Sequence, residues 1–297
     1  MAIIIYSKCP SCDSDLISPK LTAKDYTVSA ERFEIWQCGK CSMRFTQNIP
    51  DKFTIAKYYR SENYISHTDT KKGFINSLYH IIRKRTLDQK RNLIQHFTGM
   101  QKGRLLDIGA GTGAFTAHLK NAGWQSVGLE PDEDTRHRAL ALYGFSLLES
   151  NQLFKLPANS FDAVTMWHVL EHVHDLHEYM EQIRTVLQPA GKAFIAVPNY
   201  TSPDAQTYGQ YWAGYDVPRH LYHFSPSSMK SLLQKHGMKL CTMKPMWYDS
   251  FYVSMLSEQY KHNSPGHITA FWNGLLSDIK TMGNKEKCSS LIYVIEK

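Results

Sequence analysis

From Gly103 onward the chain alternates short apolar runs with helical patterns. "GRLLDIG" reads as a short buried strand and "GAFTAHLKNAG" as a helix that ends at Gly123. "QSVGLEP" reads as a second strand. "DEDTRHRALALYG" is a second helix, acidic at its start and closed by Gly144. "FSLLES" and "FDAVTMW" follow as third and fourth strands, and a helix runs through "LHEYMEQIRTVLQPAG". Then come a fifth strand in "GKAFIAVPN", a capped helix in "SPSSMKSLLQKHG" and a sixth strand in "MKLCTMKP". "SSLIYVIEK" is one strand more, preceded by a stretch near 246–288 that reads as a mostly helical insertion. Strands separated by helices predict parallel pairing with right-handed crossovers.

Ahead of this core the patterning differs. "RFEIWQC" alternates as a strand does. "FINSLYHIIRKRTLDQKRNLIQHF" carries Phe74, Leu78, Ile81, Ile82, Leu87, Leu93, Ile94 and Phe97 at mostly helical spacings. The predicted organisation is a small module over 1–48, a helical linker or cap segment over 49–102, and an α/β domain over 103–297.

Composition changes this picture little. The chain has 297 residues, 42% of them hydrophobic, enough for one full core and a smaller module. No stretch approaches the roughly twenty apolar residues of a membrane span. "MAIIIYSKCPSC" lacks the charged start and apolar length of a signal peptide, so a cytoplasmic protein is expected. The net charge of +7 is uneven: Lys71 to Arg91 holds seven Lys or Arg and one acid, Asp88. That segment reads as a solvated helix face, with a docking surface for an anionic substrate as the alternative.

Four of the six cysteines form two pairs, Cys9 with Cys12 and Cys38 with Cys41. Each C-x2-C loop places two thiolates on one tetrahedral ion, and two such loops complete a closed structural zinc site. The 25-residue spacer leaves room for a small antiparallel sheet. Disulfide or redox use is the alternative, which a cytoplasmic setting disfavours. Cys241 and Cys288 are isolated and read as buried small hydrophobes.

"LLDIGAGTGAF", residues 105–115, combines a carboxylate with a bare backbone. Gly109, Gly111 and Ala114 also fit a dinucleotide fingerprint. Asp107, two residues before the first glycine, would repel a pyrophosphate and attract the ammonium of an amino acid, which favours S-adenosylmethionine (SAM). Glu130, ending the second strand, suits either ligand through its ribose hydroxyls. "SFDAVTMWHVLEHV" then follows at the distance of a fourth strand.

"LLDIGAGTGAF", "GLEPD", "LPANSFDAVTMWHVLEHVHD" and "LQPAGKAFIAVPN" together resemble the successive motifs of class I SAM-dependent methyltransferases over roughly residues 90–245 and the last strand. "YDVPRHLYHFSPSSMKSLLQKHGM" further resembles a bacterial methyltransferase-23-type subgroup. Some of its members, sugar C-methyltransferases among them, carry an N-terminal zinc module. The resemblance implies a Rossmann-like fold with a seven-stranded, mostly parallel sheet beside a small N-terminal zinc ribbon. It implies that Asp107, Gly109, Ala110, Gly111 and Gly113 wrap the methionine part of SAM. Glu130 matches the ribose-binding acid, followed by Pro131 and Asp132. Glu149 and Ser150 fall where adenine is contacted, and Trp167 and His168 line the methyl-donor pocket.

"HVLEH", residues 168–172, also matches the H-x-x-E-H pattern of zinc peptidases. Its position after the fourth strand of such a core argues instead for a hydrogen-bonded shell beneath SAM. The segment after the fifth strand, "NYTSPDAQTYGQYWAGYDVPRHLYHFS", is the expected acceptor region, its aromatic density suiting a planar or sugar-like molecule. His220 is the first candidate for a catalytic base and His223 the second; loop-fixing histidines are the alternative. The Tyr64–His67 segment is a further source of a base. The expected acceptor is a small molecule, with a nucleotide-linked sugar or another metabolite in view. RNA methylation and non-catalytic SAM binding are the competing readings.

Overall fold

The structure is a computed structural model that describes residues 3–59, 74–247, 249–262 and 284–297, with side chains from 84 in the first long helix and from 252 in the last. Tyr64–His67, Lys71, Lys72 and residues 263–283 of the expected insertion lie outside the described residues. In chain order the elements are β1 (Ile3–Ile4), β2 (Ile17–Lys24), β3 (Arg32–Cys38), β4 (Arg44–Thr46), β5 (Ile49–Pro50) and α1 (Phe74–Thr98). Then come β6 (Arg104–Ile108), α2 (Ala114–Asn121), β7 (Gln125–Leu129), α3 (Glu133–Tyr143), β8 (Phe161–Trp167) and α4 (Leu176–Val186). The chain continues through β9 (Leu187–Pro198), α5 (Pro203–Tyr208), β10 (Tyr222–His223), α6 (Pro226–Lys235), β11 (Lys239–Pro245), α7 (Asp249–His262) and β12 (Ser290–Glu296).

The main sheet has the order β11-β12-β9-β8-β6-β7. Among the described residues it has six strands rather than the expected seven. The missing one is "FSLLES", which makes only an isolated bridge from Leu148 to Leu129. The reason is local: Leu147 is buried but Leu148 is 40% exposed, and from Ser150 the backbone turns into a 3-10 helix, so no second rung forms. A second difference concerns "LQPAG". The helix expected to reach Gly191 stops at Val186, and β9 starts at Leu187. Pro189 disfavours a helical conformation at Gln188.

The chain divides into two compact units, one of residues 1–65, 170–177 and 196–293, the other of 66–169, 178–195 and 294–297. In the latter, β6 pairs in parallel with β7 and β8. Leu105, Leu106, Asp107 and Ile108 of β6 are all buried, the pattern of a central strand covered on both faces. Gly113, whose φ of 77° is left-handed, is the N-cap of α2. α3 is capped by Asp132, which accepts the Thr135 N–H, and is closed by Gly144, as its sequence signals predicted. Lys84 and Arg85 of α1 are exposed, which fits a solvated face.

In the former unit β10-β4-β3-β2 form an antiparallel sheet. Phe33 and Ile35 alternate inward with exposed Arg32 and Glu34. They pack in a cluster with Tyr58, Tyr200, Tyr208, Trp212, Tyr215 and Val217. Three of the aromatic side chains expected to face an acceptor, Tyr208, Trp212 and Tyr215, are therefore core residues, each 2% exposed. Burying a ring of this size removes more apolar surface from water than any other single step. Cys288 is buried as expected, but Cys241 is exposed: β11 alternates its faces, and Cys241 falls on the open one.

Candidate functional site

The turn after β6 is built around two buried carboxylates. Asp107 is 1% exposed, and its two oxygens accept hydroxyl bonds from Thr116 on α2 (2.9 Å) and Thr165 on β8 (2.7 Å). Burial raises its pKa, and the two threonines oppose that rise. Glu130, at the end of β7, accepts the Gly111 N–H (2.8 Å) on one oxygen and the Asp132 N–H (3.1 Å) on the other. Burial also raises the Glu130 pKa above its ordinary 4.5, against the pull of those two N–H groups. Two threonines that no motif singled out thus hold the motif's aspartate.

Between the carboxylates the backbone is bare by necessity. At Gly109, φ is +72° and an added Cβ would lie 2.3 Å from Cγ2 of Val169. At Gly111, φ is +54° and a Cβ would meet nothing within 4 Å, so the loop opens onto free space there. Ala110 donates its N–H to the Leu129 carbonyl, and Gly113 donates to Ala110. Gly109→Ala is expected to destabilise the protein by about 1–3 kcal/mol, from left-handed strain plus overpacking. Thermal melting of this variant alone and with Val169→Ala checks it: the second substitution should recover part of the loss, and full stability in Gly109→Ala would contradict the geometry.

Trp167 ends β8, and its ring meets Phe115 edge-on at 5.6 Å. The Lys90 ammonium sits 4.2 Å over the Trp167 ring. The buried indole Nε1 of Trp167 has no hydrogen-bond partner among the described residues. This aromatic corner already attracts one cation and retains a donor for another ligand. Lys90 carried no sequence signal, because it lies within a basic run. His168, next in the chain, has a φ of +57°, uncommon for a residue with a side chain. Pro131 lends its carbonyl to Arg136. Glu149 precedes the 3-10 turn that opens at Ser150, and Glu130 donates its N–H to the neighbouring Leu148 carbonyl. Open space at Gly111, an unpartnered indole N–H and two buried carboxylates fit a cationic amino-acid ligand carrying a ribose.

The other unit holds two further clusters. Cys9, Cys12, Cys38 and Cys41 bring their sulfurs within 4.8 Å of one another. The Cys9–Cys41 and Cys12–Cys38 pairs are each 3.6 Å apart. Four sulfurs around zinc lie about 3.8 Å apart, from bonds of ~2.3 Å, whereas a disulfide needs ~2.05 Å. The Lys40 and Cys41 N–H groups point at the Cys38 sulfur.

Glu171, His172 and His220 form the second cluster, each offering one donor atom within 4.8 Å of the others. Residues 170–172 make a 3-10 turn, not the α-helix that an H-x-x-E-H peptidase site requires. His220 lies 2.9 Å through Nδ1 from the Gly214 carbonyl, so Nδ1 donates and, in the neutral ring, Nε2 carries the lone pair; Nε2 lies 4.0 Å from an Asp216 oxygen. His223 is 2% exposed, with Nε2 3.1 Å from the Thr46 hydroxyl, which itself donates to the His220 carbonyl. Burial first, then the proximity of His220, when it is protonated, and of Arg44 hold its pKa well below the ordinary 6.5. Beside them Arg219, 1% exposed, donates to both oxygens of Asp216, to Asp25 and to the Tyr58 carbonyl. Sequence reasoning named His220 but missed its partners, since Glu171 and His172 lie far from it along the chain.

The sequence profile of a methyltransferase domain family matches residues 79–242. The chain is 26% identical to the human mitochondrial ubiquinone biosynthesis O-methyltransferase, over 54% of this chain and 49% of that protein. It is also 26% identical to the Nitrosococcus oceani ubiquinone biosynthesis O-methyltransferase, over 52% of this chain and 72% of that one. The chain thus spans about half the length of the human relative it matches. Among solved structures, a candidate sarcosine dimethylglycine methyltransferase from Galdieria sulphuraria superposes with a TM-score of 0.50 at 16% identity, covering 71% of this chain and 84% of that one. This likeness supports the Rossmann-like fold. No described helix is long and apolar enough to cross a membrane.

Proposed function

The chain belongs to the methyltransferase domain family, and from that premise we propose that it is a SAM-dependent methyltransferase acting on a hydroxyl group of a small molecule. The observation that carries the reading is the turn after β6, where Glu130 and Asp107 flank an open glycine backbone. Support for oxygen as the acceptor atom comes from the two relatives named O-methyltransferases. A nucleotide-linked sugar and other hydroxylated metabolites are acceptors of the right kind.

In this reading Gly109, Ala110, Gly111 and Gly113 take the methionine part of SAM, Glu130 the ribose hydroxyls, and Glu149 and Ser150 the adenine. Pro131 and Asp132 shape the turn behind Glu130. Trp167 presents its indole N–H and ring face to the ligand's polar and cationic groups, and His168 borders the same pocket. SAM supplies a methyl group made electrophilic by its sulfonium. Protein groups orient the acceptor oxygen in line and exclude water. The C–O bond forms as the C–S bond breaks, sulfur keeps the bonding pair, and the hydroxyl proton must leave. Nε2 of His220 is the group with a lone pair for that proton; His223, held neutral by burial and tied to Thr46, shapes the wall around it. The four cysteines hold one structural zinc ion, for which their sulfur spacing is suited.

Calorimetry tests the SAM site directly. Glu130→Ala is expected to weaken binding by about 1.5–3 kcal/mol, the worth of hydrogen bonds to a charged group, or roughly 10- to 100-fold. Because the Glu130 pKa is raised, its charged form is lost early on acidification. Wild-type affinity should therefore begin to fall on acidification while the pH is still above 4.5, and the variant should show no such fall. NADH binding in place of SAM would overturn the assignment.

A further inference from the structure

The Glu171–His172–His220 cluster is more than a proton acceptor beside an acceptor molecule. Its donor atoms come together within 4.8 Å, and Glu171 is fully buried. Both histidines are oriented alike: His172 is 3.1 Å through Nδ1 from the Arg219 carbonyl, and His220 is 2.9 Å through Nδ1 from the Gly214 carbonyl. A carbonyl can only accept, so in each of these two contacts Nδ1 is the donor, and in the neutral form of each ring Nε2 carries the lone pair. The rings stand 4.5 Å apart at 81°, so the two lone pairs do not lie in one plane. Tyr59 adds its hydroxyl 3.0 Å from Nδ1 of His172.

Nδ1–H bonded to a carbonyl, with the lone pair on Nε2, is the arrangement that fixes a metal-ligating histidine. Two imidazoles and one carboxylate suit a first-row divalent ion and leave coordination positions open. We propose that Glu171, His172 and His220 bind one divalent transition-metal ion, distinct from the zinc of the cysteine cluster. Thiolates select zinc, whereas this mixed nitrogen and oxygen set accepts zinc, iron(II), manganese or cobalt.

The use of this ion in methyl transfer rests on the function proposed above. An acceptor hydroxyl coordinated at an open position becomes more acidic. With the ion bound, Nε2 of His220 is a ligand and water takes the proton, so the base role proposed above belongs to the metal-free protein.

The experiment uses the full chain with its cysteines already loaded with zinc, titrated with Co2+ and without any acceptor. One further equivalent is expected, with the weak visible bands of nitrogen and oxygen ligation and no thiolate charge-transfer band. Glu171→Gln and His220→Gln should each weaken it by about 100-fold or more, removal of a ligand costing at least as much as loss of its supporting bonds; His223→Gln should leave it unchanged. SAM calorimetry on the same variants reports whether their fold is intact. A measurement on the wild type alone avoids any folding ambiguity: proton NMR of the cobalt-loaded chain should show two solvent-exchangeable, paramagnetically shifted lines from the Nδ1–H groups. Binding of no second equivalent, or equal affinity in the variants, or absence of both lines, would overturn the proposal. Loss of SAM binding with metal binding retained would instead count against the proposed function.

Discussion

Arg219→Ala is expected to cost about 3–5 kcal/mol of stability, as does breaking a buried ion pair from one side. The reason is the set of groups it would leave behind. Arg219 bonds Asp216 at 3.0 and 2.6 Å, Asp25 at 3.0 Å and the Tyr58 carbonyl at 2.8 Å. Its side chain is 1% exposed and that of Asp25 is fully buried. Asp25 is committed further, accepting the N–H groups of Thr27, Val28 and Ser29 in the turn between β2 and β3. Without Arg219 the fully buried Asp25 carboxylate, and the partly exposed Asp216 beside it, lose the cation that balances them. Arg219→Lys should be intermediate, because one ammonium cannot reach all four acceptors. Urea unfolding at neutral pH measures the loss, and a value below ~1 kcal/mol would show the cluster to be solvated in solution.

The pH dependence of that loss has a definite sign. Burial pushes both carboxyl pKa values up, but hydrogen bonds and the Arg219 charge outweigh it and hold Asp25 and Asp216 below the ordinary 3.8. A depressed carboxylate stabilises the fold above its unfolded pKa, and that stability is lost as pH falls through the folded one. The gap between wild type and Arg219→Ala should therefore be full at neutral pH and close on acidification below 3.8.

Removal of the zinc ion proposed at the four cysteines is the second large expected effect. Structural zinc contributes about 10–16 kcal/mol of apparent binding energy in isolated fingers. Here Phe33 and Ile35 of β3 also pack against Tyr58, Tyr208 and Trp212, so apolar packing holds part of the segment without metal. Chelation is thus expected to abolish hydrogen-exchange protection around β2, β3 and β4 first, while β6 and β8 keep theirs. Cys38→Ser should reproduce the chelated pattern. Metal analysis should find the cysteine-bound zinc lost in each case, and unchanged protection after chelation would refute a structural ion at these cysteines.

What could be read from the chain shares one property: it is local. The glycine-rich turn, Glu130 and the helix caps at Asp132 and Ser225 lie within a few residues of the strands and helices that they serve, so their spacing exposes them. The paired cysteines are equally legible, since each C-x2-C loop is a complete half-site. The lost seventh strand was ambiguous for the opposite reason. "FSLLES" has the apolar content of a strand, but whether an edge segment forms more than one rung depends on its neighbour, and the 3-10 turn at Ser150 ends it.

Only the tertiary structure decided which polar residues are buried together. Arg219 reaches Asp25 across 194 positions of sequence, and nothing near either residue marks it as half of an ion pair. The aromatic run through Tyr208, Trp212 and Tyr215 looks from the sequence like a ligand-facing loop, but the chain folds it against β3 as core. His220 was visible as a histidine in a loop, yet its meeting with Glu171 and His172 arises from the packing of separate segments. The sequence by itself determined the elements, the turn chemistry and the family, because those follow from short-range sterics and periodicity. The pairing of distant charges follows from how the elements close on one another, a property of the folded backbone that no short window of residues contains.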